Sequence, residues 1–143
     1  MPWPGEIRLS LIPFGGSFTL NHATQEAYAF AAPLRSAAAE AADSTLPASP
    51  KFVELTPSEL VLTAIKPAES GNGVVICFYH SSQTYVAGQV TFGLPMREII
   101  STNLLEDSGE SSQAWTNTNT IPINVPAKRI VTLRAAYRRE SER

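Results

Sequence analysis

The stretch from Leu60 to Tyr79 constrains this chain most. LVLTAIK and VVICFY are two short runs rich in β-branched and aromatic residues, and the segment between them holds Pro67, Gly71 and Gly73. That composition predicts strand, turn, strand. In the second arm Val74, Ile76 and Phe78 point one way and Val75, Cys77 and Tyr79 the other, because strand side chains alternate with period two. Both faces are apolar, so the strand is expected to be covered on both sides. An interior strand with further β-runs before and after it implies an antiparallel β-sandwich.

Those further runs are legible by the same rule. EIRLSL, residues 6–11, alternates Ile7, Leu9 and Leu11 against Glu6, Arg8 and Ser10, the pattern of a half-buried strand. Runs follow at 52–56, at 86–92, at 98–105 after Pro95, at 121–125 and at 129–135, for about 7–8 strands. Between the first two lies one helix, expected over residues 18–30 with Ser17 as its cap. Leu20, Ala23, Ala27 and Phe30 share one face of it, which predicts a short N-terminal helix packed on the sheet. Residues 31–50, framed by Pro33, Pro47 and Pro50, have no apolar stripe and read as an extended connector. Residues 107–119 are polar and contain glycine, the mark of a mobile loop, and YRRESER, residues 137–143, reads as a solvated tail.

At 143 residues, one domain spanning 1–143 is expected. The net charge of −2, from 11 basic and 13 acidic residues, provides no attraction for nucleic acid or an anionic membrane. No apolar run approaches the roughly 18 residues of a membrane span, and no basic-then-apolar leader opens the sequence, so a cytoplasmic location is expected. Cys77 has no cysteine partner and sits in a strand, where it reads as a small buried hydrophobe.

Candidate chemistry is sparse. His22 and His80 are the only histidines and belong to no metal-binding spacing. The glycines of ESGNG lie between two strands, where a hairpin turn explains them better than a phosphate loop. Glycoside hydrolysis needs two carboxylates flanking the bond, about 5 to 9 Å apart. The aspartates, Asp43 and Asp107, fall in loops, and the adjacent Glu106 and Asp107 are expected to diverge along an extended segment. No G-x-S-x-G is present, and no catalytic, metal or cofactor residue is assigned. The aromatics Trp3, Tyr85, Trp115 and Tyr137 sit at predicted ends and loops. Trp115 and Tyr85 are the candidates for a carbohydrate or domain contact, by stacking on a sugar ring or covering a neighbour's edge.

Taken in order, LSLIPFGGSF, EAYAFAAPLRS, FVELTPSELVLTAIKPAESGNGVVICFY, TNLLED and RIVTLRA resemble the C-terminal end of family 38 glycoside hydrolases, the retaining α-mannosidases. The likeness covers residues 5–135 and is strongest from Phe52 to Tyr79, then from Thr102 to Glu106. It departs at Phe14, which stands where the family has His. The resemblance implies a non-catalytic C-terminal β-sandwich. The family's zinc ligands and its nucleophilic and acid/base carboxylates belong to a large N-terminal α/β region absent from this sequence, so zinc is expected only there. The implied partner is the catalytic domain of the parent mannosidase, and the alternative is a free-standing carbohydrate-binding module.

Overall fold

The computed structural model describes residues 7–17, 19–32, 35, 36, 38, 50–80 and 83–137, with the side chain of Asn21 outside that set. The chain divides into two compact units, Met1–Ala42 and Asp43–Arg143.

In the first unit, helix α1 runs Leu20–Ala31. Its cap is Thr19, not Ser17: Thr19 holds an extended backbone, and its Oγ1 accepts the N–H of His22 at 3.2 Å, satisfying one of the free donors at the helix start. Residues 7–11 form no strand. The alternation is real, yet a strand exists only with a ladder partner, and these residues have none among those described. Ile7, Leu9 and Leu11 are accordingly 86%, 89% and 95% exposed. Most of the expected connector lies outside the described residues.

The second unit is a curled antiparallel sheet of six strands: β1 Val53–Thr56, β2 Leu60–Pro67, β3 Val74–His80, β4 Val86–Thr102, β5 Ala114–Val125 and β6 Ile130–Tyr137. The expected 7–8 fall to six for two reasons. Residues 7–11 form no strand, and the runs at 86–92 and 98–105 are one continuous strand. Pro95 does not end β4 because it lies between Thr91 and Met96, where the register against β5 shifts and the ladder needs no N–H from it. The last strand extends to Tyr137, so the tail begins no earlier than residue 138, and residues 138–143 lie outside the description.

Strand order is β1-β4-β6-β3-β2, with β5 on β4. The bend in β4 allows it two neighbours on one edge. Residues 89–92 pair with β1, and residues 96–102 pair with β6. β5 follows β4 along both stretches. The curl brings Ile76, Phe78, Leu133 and Ala135 into one core with Val90, Phe92, Ile121, Ile123 and Val125. The opposite face of β3 is only part-covered. Val75 is fully buried, but Cys77 is half-buried, with its Sγ 3.8 Å from Thr132 Oγ1, rather than the buried hydrophobe expected.

The hairpin of β2 and β3 pairs in register from Leu60–His80 to Pro67–Val74, with one bulge between Leu62 and Ala64. Its turn closes through Gly73, at φ +101, where a Cβ would stand 2.1 Å from the Ala135 carbonyl oxygen of β6. Only glycine meets both demands.

Candidate functional site

Trp115 and Tyr85 are not brought together. Trp115 lies on β5 opposite Ile99, not in a mobile loop, and packs half-buried against the core. Its environment is that of a core-edge residue. Tyr85 precedes β4 at the far end of the same ladder, 58% exposed, and its hydroxyl donates to Asn124 Oδ1 at 2.5 Å. Roughly 30 Å of extended strand separates the two positions, so no single sugar ring stacks on both. Tyr137 pairs with Met96 and meets Phe52 edge-on at 6.5 Å, and burial raises its hydroxyl pKa. Trp3 lies outside the described residues.

The two segments that carry the family resemblance most strongly do meet. Asn103 builds a tight turn after β4, its Oδ1 accepting the N–H groups of Leu105 and Asp107 at 2.8 and 3.0 Å. Glu106 takes φ +66 in that turn instead of the extended backbone expected, and its side chain is only 5% exposed. The carboxylate points into the hairpin end. Oε2 accepts the N–H of Glu69 at 2.9 Å, and Oε1 lies 2.7 Å from Lys66 Nζ. That second contact is ionic more than a well-aligned hydrogen bond, since Oε1 has no aligned donor. KPAE of the hairpin and TNLLED of the turn are therefore two halves of one junction.

Nothing local in the sequence marks Lys66 or Glu106 beyond their places in KPAE and TNLLED. Lys66 Nζ is also 3.8 Å from Glu69 Oε1. Two carboxylates thus contact one ammonium. The arrangement is a clasp.

The Lys66 contact, then the Glu69 N–H, hold the Glu106 carboxyl below its ordinary value of 4.5, against an opposing push from burial. Lys66 is raised above 10.5, chiefly by Glu106. Both shifts favour the charged pair. The Glu106 contribution is present above pH 4.5 and disappears as pH falls through its lower folded value; that of Lys66 is present below pH 10.5 and disappears as pH rises through its higher one. Glu106→Gln is accordingly expected to lower the melting temperature at pH 7, with the difference from wild type shrinking below pH 4.5. Thermal melts from pH 3 to 8 check this, and a difference unchanged at pH 3 would contradict it.

The histidines and cysteine form no centre. His22 sits on α1 with Nε2 3.8 Å from Glu26 Oε1, an exposed pair one helical turn apart. His80 is buried beside Leu60 on the core side of β3, and neither ring nitrogen has a hydrogen-bond partner. Among the described residues no three of His, Cys, Asp and Glu approach as a metal site requires. Two concavities among the described residues stand out. One, of about 340 Å³, lies in the first unit between residues 8–14 and α1, lined mainly by Leu9, Ile12, Phe14, Ala23, Ala27 and Phe30. The other, of about 370 Å³, lies at the end of the sheet around Tyr79 and Ile130.

Residues 59–133 match the model of the glycosyl hydrolases family 38 C-terminal beta sandwich domain. The chain belongs to this family. The match runs from the start of β2 into β6, so it contains both the hairpin and the Asn103–Asp107 turn. The Lys66–Glu106 clasp is thus internal to the family 38 domain, while α1 and β1 fall outside the match. No curated protein and no solved structure matches the chain. No helix among the described residues is long and apolar enough to cross a membrane.

Proposed function

We propose that this chain is the non-catalytic accessory β-sandwich of an α-mannosidase-like family 38 glycoside hydrolase, packing beside that enzyme's catalytic domain. Family membership supports the setting. The observation that carries the packing role is the apolar face of the first unit. Ile7, Leu9 and Leu11 alternate along the sequence and stand almost fully exposed, and Phe14 and Phe30, which line the adjoining groove, are about half exposed. Isolated exposed hydrophobes are ordinary, but a contiguous apolar set of this kind marks an interaction surface. A segment whose apolar residues alternate in sequence suits addition to a sheet edge on the catalytic partner, where main-chain bonds give affinity and alternate side chains fill pockets.

Co-expression of the chain with a family 38 catalytic region tests this. A complex that survives size-exclusion chromatography is expected, and the triple substitution of Ile7, Leu9 and Leu11 by serine should weaken it at least about tenfold, one 1.4 kcal/mol step. The chain alone should release no aryl alcohol from an aryl α-mannoside, with or without zinc. Turnover by the chain alone would overturn the reading. So would saturable quenching of tryptophan fluorescence by mannosides without the partner, which would favour a carbohydrate-binding module centred on Tyr85.

A further inference from the structure

The geometry points to a second site: the concavity at the end of β2, β3 and β6 binds a small organic anion, a phosphate or carboxylate carried on a sugar ring or similar body. The inference is independent of the packing role above.

Tyr79 and Ile130 are cross-strand partners, so their side chains share the sheet face opposite the core and form the floor. Ile130 is 61% exposed there, an apolar surface left open beside a half-buried tyrosine. Thr63 closes one side from the bulge of β2. Its hydroxyl already donates to the Cys77 carbonyl at 2.9 Å, so it offers a ligand only an acceptor.

The charge comes from the turn between β5 and β6. Lys128 and Arg129 both line the concavity. Neighbours on a regular strand would diverge, but Lys128 takes a left-handed backbone at φ +55, which removes that alternation. The turn is anchored by the His80 N–H, which donates to the Arg129 carbonyl at 3.1 Å. No carboxylate lines the site, and neither cation is ion-paired among the described residues. In a chain of net charge −2, two adjacent unneutralised cations over an apolar floor are a local reversal of sign. Lysine supplies a mobile point charge and arginine a planar fork suited to two oxygens of one phosphate or carboxylate. At about 370 Å³ the site has the size of small-ligand pockets. A metal ion is disfavoured by the sign of the walls, and a neutral sugar leaves both cations unused.

Titration of the full chain with glucose 6-phosphate, glucuronate, glucose and inorganic phosphate, followed by amide NMR shifts, tests this. Glucose 6-phosphate or glucuronate should move the Tyr79, Ile130 and Arg129 amides, and glucose should not. Lys128→Gln and Arg129→Gln should each weaken binding about tenfold, with unchanged melting temperature, and added salt should weaken it further. Ile130→Ser should weaken the sugar anions but not inorganic phosphate. Silence with both sugar anions, equal binding of glucose, or indifference to either charge substitution would overturn the site. Inorganic phosphate binding as tightly as glucose 6-phosphate would also overturn it, as an adventitious ion only.

Discussion

Replacing Phe78 with alanine should lower the unfolding free energy of the sheet unit by about 3–5 kcal/mol, the cost of deleting a ring from a close-packed interior that cannot collapse around the void. Phe78 is fully buried on β3, between Leu62 of β2 and Val131 of β6, and belongs to the same core as Val90 and Phe92 of β4. A domain stabilised by about 5–15 kcal/mol would keep little margin after that loss. Urea unfolding should show a lower midpoint at unchanged slope, and Phe78→Leu, which keeps most of the volume, should lose less than about 1.5 kcal/mol. A loss below about 1 kcal/mol for the alanine variant would mean that β3 does not lie at the centre of the core.

A comparable loss, about 3 kcal/mol, is expected from Gly88→Val, by the opposite mechanism of overpacking. Gly88 lies on β4 where β1 crosses into the Pro57 turn. A Cβ at this position would stand 2.2 Å from the Thr56 carbonyl oxygen and 2.9 Å from Pro57 Cδ. Backbone at that distance cannot yield as a flexible side chain would, so β1 must move off β4. Hydrogen exchange should then show lost protection in β1, residues 53–56, ahead of β3. Gly109 is the control, because a Cβ there meets nothing within 4 Å and the residue has no positive φ. Gly109→Val should change stability by less than about 0.5 kcal/mol. Equal effects at the two glycines would show that the crowding at Gly88 is relieved without cost.

The parts of this fold that were legible in the sequence are those fixed by neighbours along the chain. The β2–β3 hairpin announces itself through two apolar runs and the turn residues between them, and Ile121, Ile123 and Val125 announce the end of β5 by alternation. What escaped is set by residues far apart. Pro95 reads as a break until the register shift between Thr91 and Met96 shows that its missing N–H goes unused. Trp115 reads as a loop residue because its neighbours Thr116, Asn117 and Thr118 are polar, yet pairing with Ile99 places it on a strand. Glu106 carries no local sign of burial, since its partner Lys66 lies forty positions earlier. The alternation at 7–11 makes the complementary point. A sequence shows which face of a segment is greasy, but the ladder that would cover it is a property of two segments.

The family 38 assignment follows the same division. Resemblance took in residues 5–135, while the matched region is 59–133, the part whose strands, clasp and core are all internal to one sheet. The Lys66–Glu106 contact joins KPAE to TNLLED: without the hairpin lysine, the Glu106 carboxylate, only 5% exposed, would lose its counter-ion.

The bulge between Leu62 and Ala64 also bears on how copies of this molecule meet one another. β2 is an outermost strand, and its free rim carries that irregularity together with Lys66 and Pro67, which contribute a charge and a missing amide. β5, the other long outlying strand, carries Pro122, which has no amide hydrogen, and the left-handed Asn117 along its length. A growing fibril needs a straight row of vacant donors and acceptors to template the next layer, and neither border offers one. The sheet is thereby built to stay discrete, even at the concentrations at which nascent β-rich chains tend to clump.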